Sequence, residues 1–128
     1  QGPARAPPPG QPPGPARAMA PAPGRPLAVA TDCSGMETPV MALHNLEVDI
    51  DHIFSCDVNR HAKRTILANF PPQVFYDDLT RRDNSAAPSV DLYVAGFPCQ
   101  PFSTAGLQQG FKDARGRGEI FWHVREYI

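Results

Sequence analysis

Asp91-Leu92-Tyr93-Val94-Ala95-Gly96-Phe97-Pro98-Cys99-Gln100-Pro101-Phe102-Ser103 joins an apolar run to a loop built around one cysteine. The first five residues suit a short buried strand. Gly96 then frees the backbone to turn, and Pro98 and Pro101 stiffen the loop on either side of Cys99. The arrangement presents a thiol at the carboxyl end of a strand. Open α/β sheets place their chemistry there.

Working outward, the chain alternates short apolar runs with helical patterns. Leu27-Ala28-Val29-Ala30-Thr31 reads as a first buried strand, followed by the turn Asp32-Cys33-Ser34-Gly35-Met36-Glu37. Thr38 is expected to cap a helix with Pro39 at its first position, burying Val40, Met41, Leu43 and Leu46. Ile53-Phe54-Ser55-Cys56 reads as strand two, ending at Asp57. Val58, Ala62, Ile66 and Phe70 then repeat at helical spacing until Pro71-Pro72 stops them. Val74-Phe75-Tyr76 is a third strand, residues 81–89 a polar loop, and Asp91–Ala95 the fourth strand. Residues 97–118 carry four glycines and read as a mobile loop. From Glu119 a last helix places Ile120, Phe121, Val124 and Ile128 on one side. Strands alternating with helices predict a doubly wound, parallel α/β sheet.

Composition divides the chain. Residues 1–26 hold ten of the sixteen prolines, and their largest apolar side chain is Met19, so they read as a disordered or polyproline-like linker. Their three arginines meet no acid. Residues 27–128 carry nine basic against thirteen acidic side chains, which disfavours a broadly basic nucleic-acid-binding face. The three cysteines, Cys33, Cys56 and Cys99, show neither a CxxC pair nor zinc spacing. No metal is expected. No apolar run reaches membrane-spanning length, and a reduced interior, nuclear or cytoplasmic, is the expected setting. Gln1 at the start, and an end at Ile128 within a helical pattern, suggest a piece of a longer protein.

The turn Asp32-Cys33-Ser34-Gly35 follows strand one and opens a helix, the place where a nucleotide-like cofactor meets the backbone. Asp57, at the end of strand two, is placed to accept from ribose hydroxyls, and Asp78 is a candidate for an adenine amino group. Either acid could equally just cap the element after it. With Gly35 alone in the turn, the pyrophosphate cradle of a dinucleotide is missing, whereas S-adenosylmethionine has no phosphate to cradle.

Gly96–Ser103 resembles, at every position, the nucleophile loop of the cytosine-C5 methyltransferases. The turn is similar to that family's glycine motif at Asp32 and Gly35. It departs from it at Cys33, where the family has Phe, and at Glu37 and Thr38, where the family has glycines. The resemblance covers residues 27–128 and implies the N-terminal part of a catalytic domain, a truncated S-adenosylmethionine-dependent, Rossmann-like sheet. It implies Cys99 as nucleophile, and a cofactor site formed by Asp32, Cys33, Ser34, Gly35, Asp57, Val58, Asp78, Leu79 and Pro98. It further implies DNA as partner, met by Gln100, Ser103, Lys112 and Arg115, with Gln109–Gly116 as the loop that closes over a flipped base. The family's Glu-Asn-Val and Gln-x-Arg-x-Arg motifs and its target-recognition domain do not occur in residues 1–128, so these residues alone are expected not to turn over. Two other readings stay open: a tRNA cytosine-C5 methyltransferase, and a non-catalytic domain that keeps the fold for binding or regulation.

Overall fold

In the computed structural model, which describes residues 24–104, 106 and 108–128, seven elements alternate along the chain. They are β1 (Leu27–Asp32), α1 (Thr38–Asn45), β2 (Ile50–Cys56), α2 (Arg60–Asn69), β3 (Val74–Tyr76), β4 (Leu92–Ala95) and α3 (Ile120–Tyr127). Short 3-10 turns stand at Leu79–Arg81 and Gly110–Lys112. The linker read over residues 1–26 lies, as far as residue 23, outside the described residues.

All strand pairs are parallel, in the order β3-β2-β1-β4. The chain builds outward from β1 through β2 to β3, then crosses back to add β4 on the other side. The order therefore reverses between β1 and β4, which opens a crevice at their carboxyl ends. Register makes that edge even: Asp32 lies opposite both Cys56 and Ala95, and Cys56 lies opposite Tyr76. Cys33, Asp57 and Gly96 are then the first residues beyond the edge on three adjacent strands.

The buried apolar residues come from the centre of the sheet and the helices over it. Val29, Ala30, Phe54, Val40 and Ile66 are shut off from solvent. Cys56, Leu79 and Val124 form a second cluster, joined by Tyr76, Tyr93, Ala95, Phe97 and Ile120. The later halves of β1 and β2 are buried on both faces, whereas β3 and β4 at the sheet edges are only partly covered.

Several boundaries and faces differ from expectation. β1 runs one residue further and β2 begins at Ile50. β4 begins at Leu92; Asp91 instead accepts from Arg25 and from the Ala28 N–H, fastening the start of β1 to that of β4. Thr38 is the first residue of α1, not its cap. Glu37 holds the cap position with φ +60° and no capping side-chain bond. Met41 and Leu46 are exposed, leaving Val40 as the buried residue of that helix. Val58, expected on the buried stripe of α2, is 77% exposed, because the helix starts only after Asn59, whose side chain accepts from the His61 and Ala62 amides. Ile128 is exposed as well.

The polar loop 81–89 conceals a structural residue. Arg82 is buried and donates both terminal nitrogens to Asp32, at 2.6 and 2.7 Å. Tyr93 Oη donates to the same carboxylate. The guanidinium lies 4.7 to 5.3 Å from the ring centres of Phe54, Tyr76 and Tyr127. No helix among the described residues is long and apolar enough to cross a membrane.

Removing one partner of a buried ion pair strands the other charge. Arg82→Met is therefore expected to cost about 3–5 kcal/mol in urea unfolding. The double variant Asp32→Asn with Arg82→Met should recover a good part of that loss. Equal losses in the single and double variants would mean that the pair does not carry the effect.

Candidate cofactor cleft and nucleophile loop

Beyond the carboxyl edge lies a cleft of about 420 Å³, a size suited to a small organic cofactor. Of the residues singled out from the sequence, it gathers Cys33, Asp57, Val58, Asp78, Leu79, Pro98 and Gln100. Cys56, Gly96, Arg117 and Ile120 complete its wall. Val58, Leu79, Pro98 and Ile120 give it apolar sides, while Asp57 and Asp78 place two carboxylates on it.

Asp78 caps the 3-10 turn that follows it, whereas Asp57 leaves the cap of α2 to Asn59; both carboxylates line the cleft. Asp57 accepts from the Gly35 N–H and from the Asn59 N–H, each at 2.8 Å. Asp78 accepts from the amide and the hydroxyl of Thr80 through one oxygen, and these bonds, the hydroxyl's foremost, hold its carboxyl below the usual range. A carboxylate offers about four lone-pair positions, so each acid keeps room for a ligand.

The turn after β1 is drawn tightly onto the sheet. Ser34 is buried, with its amide on the Cys56 carbonyl and its hydroxyl accepting from the Cys56 amide. Gly35 has φ +58°, a conformation glycine adopts without strain, and it turns its N–H toward Asp57. Neither Ser34 nor Gly35 lines the cleft; they shape the turn whose Cys33 does. Asp32, expected at the cofactor, has its carboxylate fully buried on Arg82 and Tyr93 and away from the cleft wall. Its side chain reaches the site only through the turn that it anchors.

Cys99 is exposed on the rim, between Pro98 and Gln100 of the wall. Its carbonyl accepts from the Phe102 and Ser103 amides at 2.9 and 3.0 Å, which curls the chain behind the thiol. Gly106 lies so close to the Gln100 backbone that a Cβ there would fall 1.9 Å from the Gln100 carbonyl oxygen, so only glycine closes this loop. Phe102 stacks edge-on against Phe111, which lies 4.9 Å from Trp122 of α3. These rings tie the thiol loop to the last helix.

The three thiols differ. Burial, with Asp32 and Asp57 nearby, pushes Cys33 up to about 11. Burial, with Asp32 next, pushes Cys56 up to about 12. Both remain protonated near neutral pH and are poor nucleophiles.

Lys112 and Arg115 are exposed on the loop after Cys99, and Ser103 is half-buried. The cation that reaches the cleft is a different one, Arg117. Asp113 holds it through paired contacts of 3.0 and 2.7 Å and also accepts its amide. That guanidinium keeps the Asp113 carboxyl down at about 2. The four-residue spacing of Asp113 and Arg117 was the available signal; the glycines around it read only as a loose loop. Among the described residues, no group of three His, Cys, Asp or Glu side chains assembles as a metal site.

Residues 33–128 match the profile of the C-5 cytosine-specific DNA methylases. The chain belongs to that family. The match takes in every residue of the cleft and the whole Gly96–Ser103 loop. Among similar proteins is the type II methyltransferase M.NlaX of Neisseria lactamica, 43% identical over 80 residues, or 62% of this chain and 25% of that protein. The type II methyltransferase M.HgiCI of Herpetosiphon aurantiacus is 43% identical over 87 residues, 68% of this chain and 20% of its own length. The DNA (cytosine-5-)-methyltransferase DMT5 of Cryptococcus neoformans is 32% identical over 126 residues, covering 77% of this chain and 5% of that protein. The chain thus spans a quarter or less of the length of these relatives.

The exposure of the thiols makes a prediction. Brief treatment with iodoacetamide at pH 7 should alkylate Cys99 first, with Cys33 and Cys56 modified slower by about a hundredfold or more in the folded chain. Peptide mapping by mass spectrometry reads the order; modification of Cys33 before Cys99 would contradict it.

Proposed function

We propose that this chain is the cofactor- and nucleophile-bearing part of an enzyme that transfers a methyl group from S-adenosylmethionine to C5 of cytosine in DNA. The observation that carries the reading is the placement of Cys99. Cys99 is exposed, and its neighbours Pro98 and Gln100 line a cleft with two carboxylates at the crevice where strand order reverses. Family membership and relatives named as DNA methyltransferases support it.

The cleft fits the cofactor chemically. Asp57 and Asp78 accept from hydroxyl and amino groups, and Val58, Leu79 and Ile120 offer flat apolar contact to a purine. Nothing in the site calls for phosphate. Once bound, the cofactor supplies a methyl group on a cationic sulfur.

Cytosine C5 is a weak nucleophile, and the chain's contribution is to change that. The Cys99 thiolate attacks C6, and the electron pair displaced from the C5–C6 bond makes C5 enamine-like. C5 takes the methyl group as the methyl–sulfur bond breaks and its electrons stay on the neutral thioether. Loss of the C5 proton to a base then re-forms the double bond and expels the thiolate. A cytosine stacked in duplex DNA is out of reach, so the base must be flipped to the rim. Lys112 and Arg115, exposed on the loop that follows Cys99, are candidates to take phosphates. DNA is the favoured partner over tRNA.

In calorimetric titration of the chain with S-adenosylmethionine, Asp57→Ala should weaken binding by about tenfold or more, since hydrogen bonds to a charged acceptor are lost. In the full-length protein, Cys99→Ser should abolish methyl transfer and covalent capture of 5-fluorocytosine DNA, while cofactor affinity stays within about twofold. Methyl transfer surviving in Cys99→Ser would refute the reading.

A further inference from the structure

Glu37 carries two costs that local structure does not explain. Its side chain is wholly buried, and its backbone sits at φ +60°, a conformation that favours glycine. One carboxyl oxygen, Oε2, is buried without a hydrogen-bond partner among the described residues. A glycine would remove both costs, yet an acid stands here.

The other oxygen shows what the acid does. Oε1 accepts from the Thr31 hydroxyl of β1 at 2.6 Å and from the Ser55 hydroxyl of β2. The same Thr31 hydroxyl lies 2.7 Å from the Ser34 hydroxyl, and the Glu37 N–H donates to the Ser34 carbonyl at 2.9 Å. His52 stands behind Ser55, its Nε2 2.9 Å from that hydroxyl. Burial pushes the imidazole below its ordinary value, so it is a neutral ring at this place. Both ends of the 33–36 turn are thereby bound to two strands through one buried carboxyl group, and Glu37 itself stays off the cleft wall.

We propose that Glu37 is a positioning residue that holds the Cys33–Met36 turn in the shape presenting Cys33 and Asp57 to the cofactor, acting through Thr31, Ser34 and Ser55. It rests on the reading of the cleft as the cofactor site. It extends that reading to a residue that contacts no ligand and stands where the family has glycine.

Glu37→Gly and Glu37→Gln separate the backbone from the carboxyl group. Glycine suits φ +60° but removes the oxygen, whereas glutamine keeps an acceptor for Thr31 and Ser55. Amide hydrogen exchange of the chain without cofactor is the first readout. The Ser34, Gly35 and residue 37 amides should exchange about tenfold or more faster in Glu37→Gly, with the β1 and β2 amides unchanged, and near the wild-type rate in Glu37→Gln. Calorimetry with S-adenosylmethionine is the second: affinity should fall by about tenfold in Glu37→Gly and by less than about threefold in Glu37→Gln. Unchanged exchange at the turn in Glu37→Gly would overturn the proposal, as would unchanged affinity. If the wild-type chain does not bind the cofactor, the reading of the cleft fails instead, and exchange at the turn still decides whether Glu37 holds it.

Discussion

Asp32 ends the central strand with a carboxylate that meets no water, and Arg82 answers it from a loop fifty residues further on. The rest of the carboxyl edge depends on that pair. Desolvating two charges is costly, and only good geometry with further hydrogen bonds compensates. Here the fork is bidentate, Tyr93 adds a third donor, and three aromatic rings surround the guanidinium. The consequence is directional. With its side chain committed below the edge, Asp32 leaves its backbone to lead the turn over the cleft. Its carbonyl accepts the Gly96 N–H at 3.0 Å. One residue therefore registers the start of both the cofactor turn and the thiol loop.

Much of the sheet is legible in the sequence because its strands are short apolar runs bounded by turn residues. The apolar runs 27–31, 53–56, 74–76 and 91–95 each correspond to a strand, and their alternation with helical patterns points to a parallel sheet without giving its strand order. Cys33 of the glycine turn, Asp57, Asp78 and Pro98 come together at one cleft for a related reason: strand ends in such a sheet converge on one edge. The errors came where tertiary packing outvoted local pattern. Val58 looked like the first rung of a helix stripe, but Asn59 captured the cap and left it outside. Met41 and Leu46 fit an apolar helix face by spacing, yet in α1 Val40 is the residue that is buried, while Met41 and Leu46 are exposed. Nothing local marks Arg82, a charged loop residue whose acid lies fifty residues away, while the Asp113–Arg117 spacing is a local mark that the surrounding glycines obscure.

The turn after β1 shows how the cleft obtains a rigid floor. Cys33, Gly35 and Glu37 all take positive φ, in alternation along a short loop. Two of them are not glycines, so the surroundings must hold the conformation. Hydrogen bonds among Thr31, Ser34, Glu37 and Ser55, and from the Gly35 N–H to Asp57, do so. Rigidity of this kind would suit the proposed methyl transfer, in which a misplacement of an ångström is costly. The exposed thiol loop is held differently, by curled backbone and by the Phe102, Phe111 and Trp122 rings.

The most direct test of the account is a crystal structure of the chain with S-adenosylhomocysteine. The account predicts the ribose hydroxyls on Asp57, the adenine between Val58 and Ile120 with its amino group toward Asp78, and the sulfur facing Cys33 and the Pro98-Cys99 loop. A ligand bound elsewhere, or a cleft that stays empty at saturating ligand while the sheet is intact, would contradict it.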